Sequence, residues 1–257
     1  MKAHEIDSNS LPVVLCPTER LYLQDDHCFQ ADARVVAVRE DAVALDRTCF
    51  YPGGGGQPPD QGCAELQSGE VLEITSARAD QNETIWHISK FPPPPNIVAQ
   101  PARLILNTAR RLTLMRYHTV LHVLNTIALR DYGGWITGVQ IGTDYSMIDI
   151  KLEGFSPTLC AELVEKVNAV LDGGHALKSY YIPAEEFAKY SDLLRTLEVK
   201  PPVSGGQVRV VEIQGFDAQA CGGTHVKTTA EVGRFSIFRT ENKGKINKRL
   251  YVRLDQP

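Results

Sequence analysis

Over the first ninety residues, apolar positions come in short runs separated by turn-forming residues. Arg34-Val35-Val36-Ala37-Val38 and Ala42-Val43-Ala44-Leu45 are rich in β-branched and small apolar side chains, and Arg39-Glu40-Asp41 between them suits a hairpin turn. Val71–Ile74 and Ile85–Ile88 have the same character. Several short strands with frequent turns predict a small β-barrel. The pattern breaks at Phe91-Pro92-Pro93-Pro94-Pro95-Asn96, where consecutive prolines lack amide donors and favour extended backbone. This segment reads as a semi-rigid linker. It divides the chain into a barrel over 1–95, a connection over 96–102 and a second domain over 103–257.

Beyond the prolines the period lengthens. Leu112, Met115, Val120, Leu121, Val123, Leu124 and Ile127 recur at helical spacing and predict a helix over Asn107–Arg130, ended by Gly133-Gly134. Val139–Ile141 and Met147–Leu152 alternate as strands do. Leu159–Leu171 is a second amphipathic helix stopped by Gly173-Gly174, and Ala184–Leu194 a third. Val208–Ile213, Phe235–Arg239 and Arg249–Leu254 read as further strands. The fold class is α+β: the second domain packs helices on a mainly antiparallel sheet.

At 257 residues the chain has room for two modest domains, and its 43% hydrophobic and 23% charged residues exclude disorder, collagen and coiled coil as whole-chain readings. No apolar run reaches the ~20 residues that span a bilayer. Met1–Asp7 holds no apolar stretch of the kind that opens a secretory leader. The cysteines at 16, 28, 49, 63, 160 and 221 are scattered, so no disulfide framework is expected and a reducing, cytoplasmic compartment is. Charge is uneven: residues 1–100 carry 7 basic and 15 acidic side chains (net −8), the remainder 20 and 16 (net +4). An anionic partner would therefore be held mainly by the second domain.

His118 and His122 lie four apart on the first predicted helix, so both imidazoles share one face. Thr119 stands where a metalloprotease helix carries its glutamate, so that reading fails. Cys221-Gly222-Gly223-Thr224-His225 offers a thiolate and an imidazole across a tight turn. Together His118, His122, Cys221 and His225 form a Cys/His₃ set suited to one Zn²⁺. Four protein ligands make a closed site, whereas a catalytic zinc keeps a position open. Sequence leaves open whether such an ion is structural, positions substrate or takes part in chemistry. His4, His27, His87 and His175 have no partner at ligand spacing and read as surface or packing residues.

Tyr51-Pro52-Gly53-Gly54-Gly55-Gly56-Gln57-Pro58-Pro59 is neither a P-loop nor a dinucleotide fingerprint, since no Gly-Lys-Ser/Thr follows and the prolines oppose a helix there. Its amides and the Gln57 side chain can approach a ligand closely. Basic residues flank both halves of the metal set: Arg103, Arg110, Arg111 and Arg116 before the histidines, and Arg234, Arg239, Lys243, Lys245, Lys248, Arg249 and Arg253 near the C-terminus. Such flanking suits an enzyme acting at the end of a nucleic acid.

The two metal half-motifs, the glycine-rich stretch and Glu241-Asn242-Lys243-Gly244-Lys245-Ile246-Asn247-Lys248-Arg249 together resemble the AlaX family of free-standing alanyl-tRNA editing proteins, medium-length type, and the editing domain of alanyl-tRNA synthetase. The resemblance runs from about Glu19 to Leu254. It implies an N-terminal barrel, a zinc-carrying C-terminal editing domain without the extra domain of the longest forms, and hydrolysis of the ester joining a wrong amino acid to tRNA(Ala), chiefly serine and also glycine. The family's ligands carry over to His118, His122, Cys221 and His225. With no Ser-His-Asp set evident, direct attack by water is expected. Contacts to the serine hydroxyl are expected from Thr137, Gln140 and Gln57, with Gly54 and Gly55 lining the loop. Asp149 and Asp217 are candidates to steady a ligand imidazole from behind. Arg110, Arg111, Lys243, Lys245, Lys248 and Arg249 are candidates for tRNA phosphates. Two other readings compete: a metal-stabilised tRNA-binding module without catalysis, and a small-molecule metallohydrolase on the same fold.

Overall fold

The computed structural model describes residues 16–187, 189, 193 and 203–255. In the first part, β1 (Glu19–Arg20) pairs in parallel with β4 (Arg47–Thr48). A closed barrel is built from β2 (Gln30–Val38), β3 (Ala42–Leu45), β5 (Gly62–Leu66), β6 (Val71–Ala79), β7 (Ile85–Ser89) and β8 (Pro101–Leu106). Its order is β2-β3-β7-β6-β5-β8, and β8 returns to β2 through antiparallel pairs. Alternation puts Val35, Leu45, Ile74, Ile85 and Leu104 inside beside Phe50, all at most 1% exposed. Each contributes about 1.5–3 kcal/mol relative to an exposed side chain. The expected hairpin at Arg39–Asp41 is present, closed by Arg39 N donating to Ala42 O (2.7 Å).

The proline run does not separate two domains. It connects β7 to β8, and β8 pairs with β2 on one side and β5 on the other, closing the barrel. The barrel part therefore extends to Leu106, beyond the expected boundary at 95 and through the expected connection over 96–102. Proline marks backbone outside a central ladder, and a loop between two strands of one barrel satisfies that as well as a linker does. Pro101 opens β8, where a missing amide is tolerated.

The chain leaves the barrel at Asn107, whose side chain accepts from Arg110 N (3.0 Å) and caps α1 (Thr108–Tyr132). Gly133 ends it in the left-handed conformation (φ 67°). Nearly every residue from Leu114 to Ala128 is buried, so α1 is a central helix rather than a surface one. Then follow β9 (Trp135–Gln140), β10 (Ser146–Lys151), α2 (Pro157–Asp172), β11 (Leu177–Pro183), α3 (Ala184–Phe187), β12 (Val203–Ser204), β13 (Gln207–Ile213), β14 (Asp217–Ala220), β15 (Phe235–Asn242) and β16 (Asn247–Leu254). Most of the expected third helix beyond Phe187 lies outside the described residues. One antiparallel sheet has the order β15-β16-β10-β9; a second joins β11, β13 and β12, with β14 also on β13. Leu121, Leu124 and Ile127 of α1 share one core with Ile148, Ile150, Val167, Phe235, Leu250 and Val252. The α+β expectation is met.

Two buried polar groups inside this fold are held by hydrogen bonds to named partners. His87 is buried in the barrel wall, with Nε2 2.7 Å from Thr48 Oγ1 and Nδ1 3.3 Å from Val43 O. The carbonyl can only accept, so Nδ1 carries the proton and Thr48 donates to Nε2. Arg111 is 0% exposed. Its guanidinium forms a buried ion pair with Asp60 and donates to Asp26 O (2.9 Å) and Cys49 O (2.6 Å), joining α1 to the barrel. The expected phosphate contact by Arg111 is therefore corrected: a guanidinium enclosed by these acceptors has no route to an RNA backbone.

Two outcomes follow from these groups. Burial holds the His87 imidazole at about 4, below its ordinary 6.5. The unfolded chain then binds a proton that the folded chain refuses, so stability is full above pH 6.5 and falls as pH drops towards 4, by about 3 kcal/mol from this group. Urea titrations across that range should show a shallower pH slope in His87→Gln than in wild type; identical slopes would refute the assignment. Arg111→Met leaves the Asp60 carboxylate buried and unpaired, and chemical denaturation should register a loss of about 3–5 kcal/mol.

Candidate metal centre

Two segments far apart in sequence build the cluster. His118 and His122 project from one face of α1, and Cys221 and His225 come from the turn after β14. One ligand atom from each of the four lies within 4.8 Å of all the others. Cys221 Sγ is 3.5 Å from His118 Nε2 and 3.4 Å from His225 Nε2. The rings of His118 and His225 are 4.3 Å apart, and those of His122 and His225 4.5 Å. Gly223 is required by this approach: a Cβ there would lie 2.2 Å from His118 Cε1.

The outward nitrogens are fixed from behind. Gln57 Oε1 accepts from Thr224 N (3.1 Å), an unambiguous donor, which assigns that atom as the oxygen. His118 Nδ1, 2.8 Å from the same oxygen, must therefore carry a proton, leaving Nε2 free to ligate. Gln57 Nε2 donates to Thr224 Oγ1 (2.8 Å). His225 Nδ1 lies 3.1 Å from Thr119 Oγ1. Thr119, the residue that breaks the metalloprotease pattern, thus supports a ligand. On the other side Gln219 Nε2 donates to His122 O (3.1 Å) and to Asp217 Oδ2 (2.8 Å), and Asp217 also accepts from Thr126 Oγ1 (2.7 Å).

Electrostatics suit a cation. Burial, with a smaller push from Arg209, lowers His118 to about 3, and burial with neighbouring His118 and His122 holds His225 well below its ordinary value. Both imidazoles stay neutral and keep a lone pair. Removal from water pushes the Cys221 thiol up to about 11, so it gives up its proton only to a positive charge placed beside it. Arg209 ties the turn down, donating to Cys221 O (3.2 Å) and Gly223 O (2.7 Å) while paired with Asp26 of the barrel part (3.0 Å). The donor set, its spacing and the oriented ring nitrogens fit a metal ion.

The glycine-rich loop delivers Gln57 to this place. Gly54 N and Gln57 O, and Gln57 N and Gly54 O, close a tight turn at 3.0 and 2.9 Å, with Gly55 and Gly56 both at positive φ. Gly56 lies against β9, where a Cβ would come within 2.7 Å of Val139 O, and its own carbonyl accepts from Ile141 N (2.8 Å). Gly54 and Gly55 form the exposed tip. Gln57 itself is buried, turned toward His118 and Thr224, with both ends of its amide engaged. The expectation that Gln57 contacts the serine hydroxyl is corrected accordingly.

The other expected residues are placed as follows. Gln140 is exposed at the end of β9, beside the glycine loop. Thr137 donates within the sheet, to Asn247 Oδ1 (3.1 Å). Asp149 forms a bidentate pair with Arg249 (2.7 and 2.8 Å), on the face of β10 opposite Ile148 and Ile150, which pack towards α1. Its expected part in steadying an imidazole is replaced by this pairing, because alternation turns it away from the helix. Arg110 donates to Pro59 O (3.4 Å) on the glycine loop. Lys243 and Lys245 are exposed near the β15–β16 turn, and Lys248 Nζ donates to Asn242 Oδ1 (2.5 Å).

Sequence reasoning missed Asp26, Asp60 and Arg209. Arg209 carried a signal: one cation inside the apolar run Val208–Ile213 must find a buried partner.

A β-barrel whose loop hydrogen-bonds to a His/Cys cluster in an α+β part defines a two-part protein with a cluster that could bind a metal. Residues 208–251 match the family described as threonyl and alanyl tRNA synthetase second additional domain. Over 237 residues the chain is 35% identical to the alanyl-tRNA editing protein AlaX-M of Saccharolobus solfataricus, covering 91% of this chain and 98% of that protein. It is 35% identical to AlaX-M of Methanosarcina acetivorans over 242 residues, with 92% and 99% covered. It is also 36% identical over 228 residues to an alanine–tRNA ligase of Korarchaeum cryptofilum, of which it spans 25%. The chain belongs to the alanyl-tRNA editing protein family.

If Gln57 holds His118 in its ligating tautomer, Gln57→Ala should weaken cobalt(II) binding about 10–100-fold, read from the visible absorption of the bound ion. Gln57→Glu keeps an acceptor and should retain most of the affinity. Equal affinities in wild type and Gln57→Ala would remove Gln57 from this role.

Proposed function

We propose that this protein is a cytoplasmic trans-editing hydrolase: it deacylates tRNA(Ala) carrying a wrong amino acid, chiefly serine and also glycine, with Zn²⁺ held by His118, His122, Cys221 and His225. The observation that carries this reading is the convergence of those four donors within 4.8 Å, in a chain alignable almost end to end with AlaX-M relatives. Six free cysteines fit a reducing compartment, and no helix among the described residues is long and apolar enough to cross a membrane.

The residues around the cluster favour attack by water. Thr224 Oγ1 accepts from Gln57 Nε2 and Thr119 Oγ1 lies 3.1 Å from His225 Nδ1, so both nearby hydroxyls are engaged in holding other groups. Bound there, zinc would supply polarisation of the ester carbonyl or a hold on the substrate amine. Sparing the alanyl ester requires a pocket that hydrogen-bonds the serine hydroxyl, which rejects the analogue lacking it by ~10⁴–10⁵-fold. Thr137, Gln140 and the amide of Gly55 are assigned to that pocket, with Gly54 lining it. Arg110, Lys243, Lys245, Lys248 and Arg249 are assigned to tRNA phosphates, with binding that weakens steeply as salt rises.

The donor count supports a second reading, since four protein ligands close a zinc site. In it the metal only stabilises a tRNA-binding module. Deacylation of seryl-, glycyl- and alanyl-tRNA(Ala) separates the two. The hydrolase should cleave the seryl ester fastest and the alanyl ester slowest, and Cys221→Ala should lose metal together with at least ~100-fold in kcat/KM. An intact seryl ester after incubation with zinc-loaded protein would favour the binding module.

A further inference from the structure

The sheet β15-β16-β10-β9 has two faces. Ile148, Ile150, Leu250 and Val252 point to the shared core. The opposite face carries Tyr251 and Arg249 of β16 and Asp149 of β10, and two further rings stand beside Tyr251. Tyr145, Phe238 and Tyr251 have ring centroids 5.9, 6.0 and 6.1 Å apart. Phe238 is 44% and Tyr145 41% exposed, uncommon for aromatic side chains gathered in one place. The guanidinium of Arg239 lies 4.8 Å from the Tyr251 ring and that of Arg253 4.4 Å from the Phe238 ring. A β-bulge contributes: the register shifts between Ile237 and Arg239, so Phe238 and Arg239 both reach the outer face although they are successive.

Hydrogen bonds link this platform, on the sheet face turned away from α1, to segments that carry the His/Cys cluster. Tyr117, next to His118 on α1, donates its hydroxyl to Asp144 O (2.9 Å), and Tyr145 follows Asp144. The same turn begins at Ile141, whose amide binds Gly56 O of the glycine loop. Tyr145 is thus tied by short hydrogen-bonded paths to two segments that hold His118.

We propose that Tyr145, Phe238 and Tyr251, with Arg239 and Arg253, form a stacking platform for unpaired nucleotides at the 3′ end of the RNA whose ester the protein hydrolyses. The inference rests on the hydrolase reading and names how that substrate is presented. Exposed rings interleaved with arginines match unpaired RNA in both its parts: the rings stack on bases and the cations answer the phosphates. A duplex keeps its bases stacked on one another and offers the rings nothing. A protein partner of apolar surface would meet the Arg239 and Arg253 guanidinium groups on the rings, and the Glu241 carboxylate that pairs with Arg239 and accepts from the Tyr251 hydroxyl, which disfavours it.

The test uses full-length protein and an RNA hairpin with an unpaired 3′ tail containing 2-aminopurine, whose fluorescence falls on stacking. Wild type should quench the tail probe, and a probe placed in the duplex should respond little. Phe238→Ala and Tyr145→Ala should each weaken tail binding about tenfold and abolish much of the quenching, while Phe238→Tyr restores both and Phe238→Leu does not. Cobalt(II) binding and the thermal midpoint, as controls for folding, should be unchanged. On seryl-tRNA(Ala) the loss should fall on KM rather than kcat. Unchanged quenching and affinity in the alanine variants, or equal loss with a blunt duplex, overturns the platform. The quenching assay needs no bond cleavage, so it judges the platform even if the hydrolase reading fails on seryl-tRNA(Ala).

Discussion

One buried amide joins the two halves of this protein. Gln57 comes from a barrel loop, yet its oxygen is shared between the His118 ring and the Thr224 amide of the other domain. Left unpaired in that interior, either donor would cost about 1–3 kcal/mol. The contact therefore fixes position as well as energy, because only one placement of the loop satisfies both. Asp60 and Arg111 hold the loop's far end, and Asp26 and Arg209 hold the turn that bears Cys221. The barrel is accordingly part of the metal centre's frame. A cluster drawn from α1 and one turn alone would leave the His118 tautomer unset.

This arrangement explains the glycines without appeal to flexibility. Gly56 is needed because β9 passes too close for a side chain, and Gly223 because the His118 ring does. The backbone conformations are constrained, with ladder bonds closing the Gly54–Gln57 turn. Four glycines with positive φ cost conformational entropy on folding, and the close approach they permit offsets it.

What could be read from sequence follows a physical division. His118 with His122, and Cys221 with His225, were legible because ligand spacing within each segment is local chemistry. The barrel strands and α1 were legible for the same reason, since periodicity is local. Failures occurred where meaning depended on a partner distant in sequence. Arg111 read as a surface cation because arginine is usually exposed; only Asp60, 51 residues earlier, shows it to be internal. Gln57 read as a ligand contact because the loop's conformational freedom was visible and its target was not. Asp149 read as a support for histidine because the strand was recognised without its register, and register decides which face a residue occupies. The prolines read as a domain boundary because composition reports missing amide donors, and a barrel loop tolerates those as readily as a linker.

The cluster's charge state adds a constraint on how the protein can be assembled. Without a cation, the interior keeps two imidazoles neutral and the thiol protonated, so packing alone brings the donors together without mutual repulsion. The four donors are thus compatible with the core around them in their uncharged forms, whereas small zinc modules fold only on loading. The large core around α1 makes this available: Leu121, Leu124 and Ile127 are anchored against both sheets and α2 whatever occupies the site. A cation held there by His118, His122, Cys221 and His225 would take the place of the Cys221 proton. The polar contacts from the barrel loop, Gln57 to His118 and to Thr224, are what hold these donors in place.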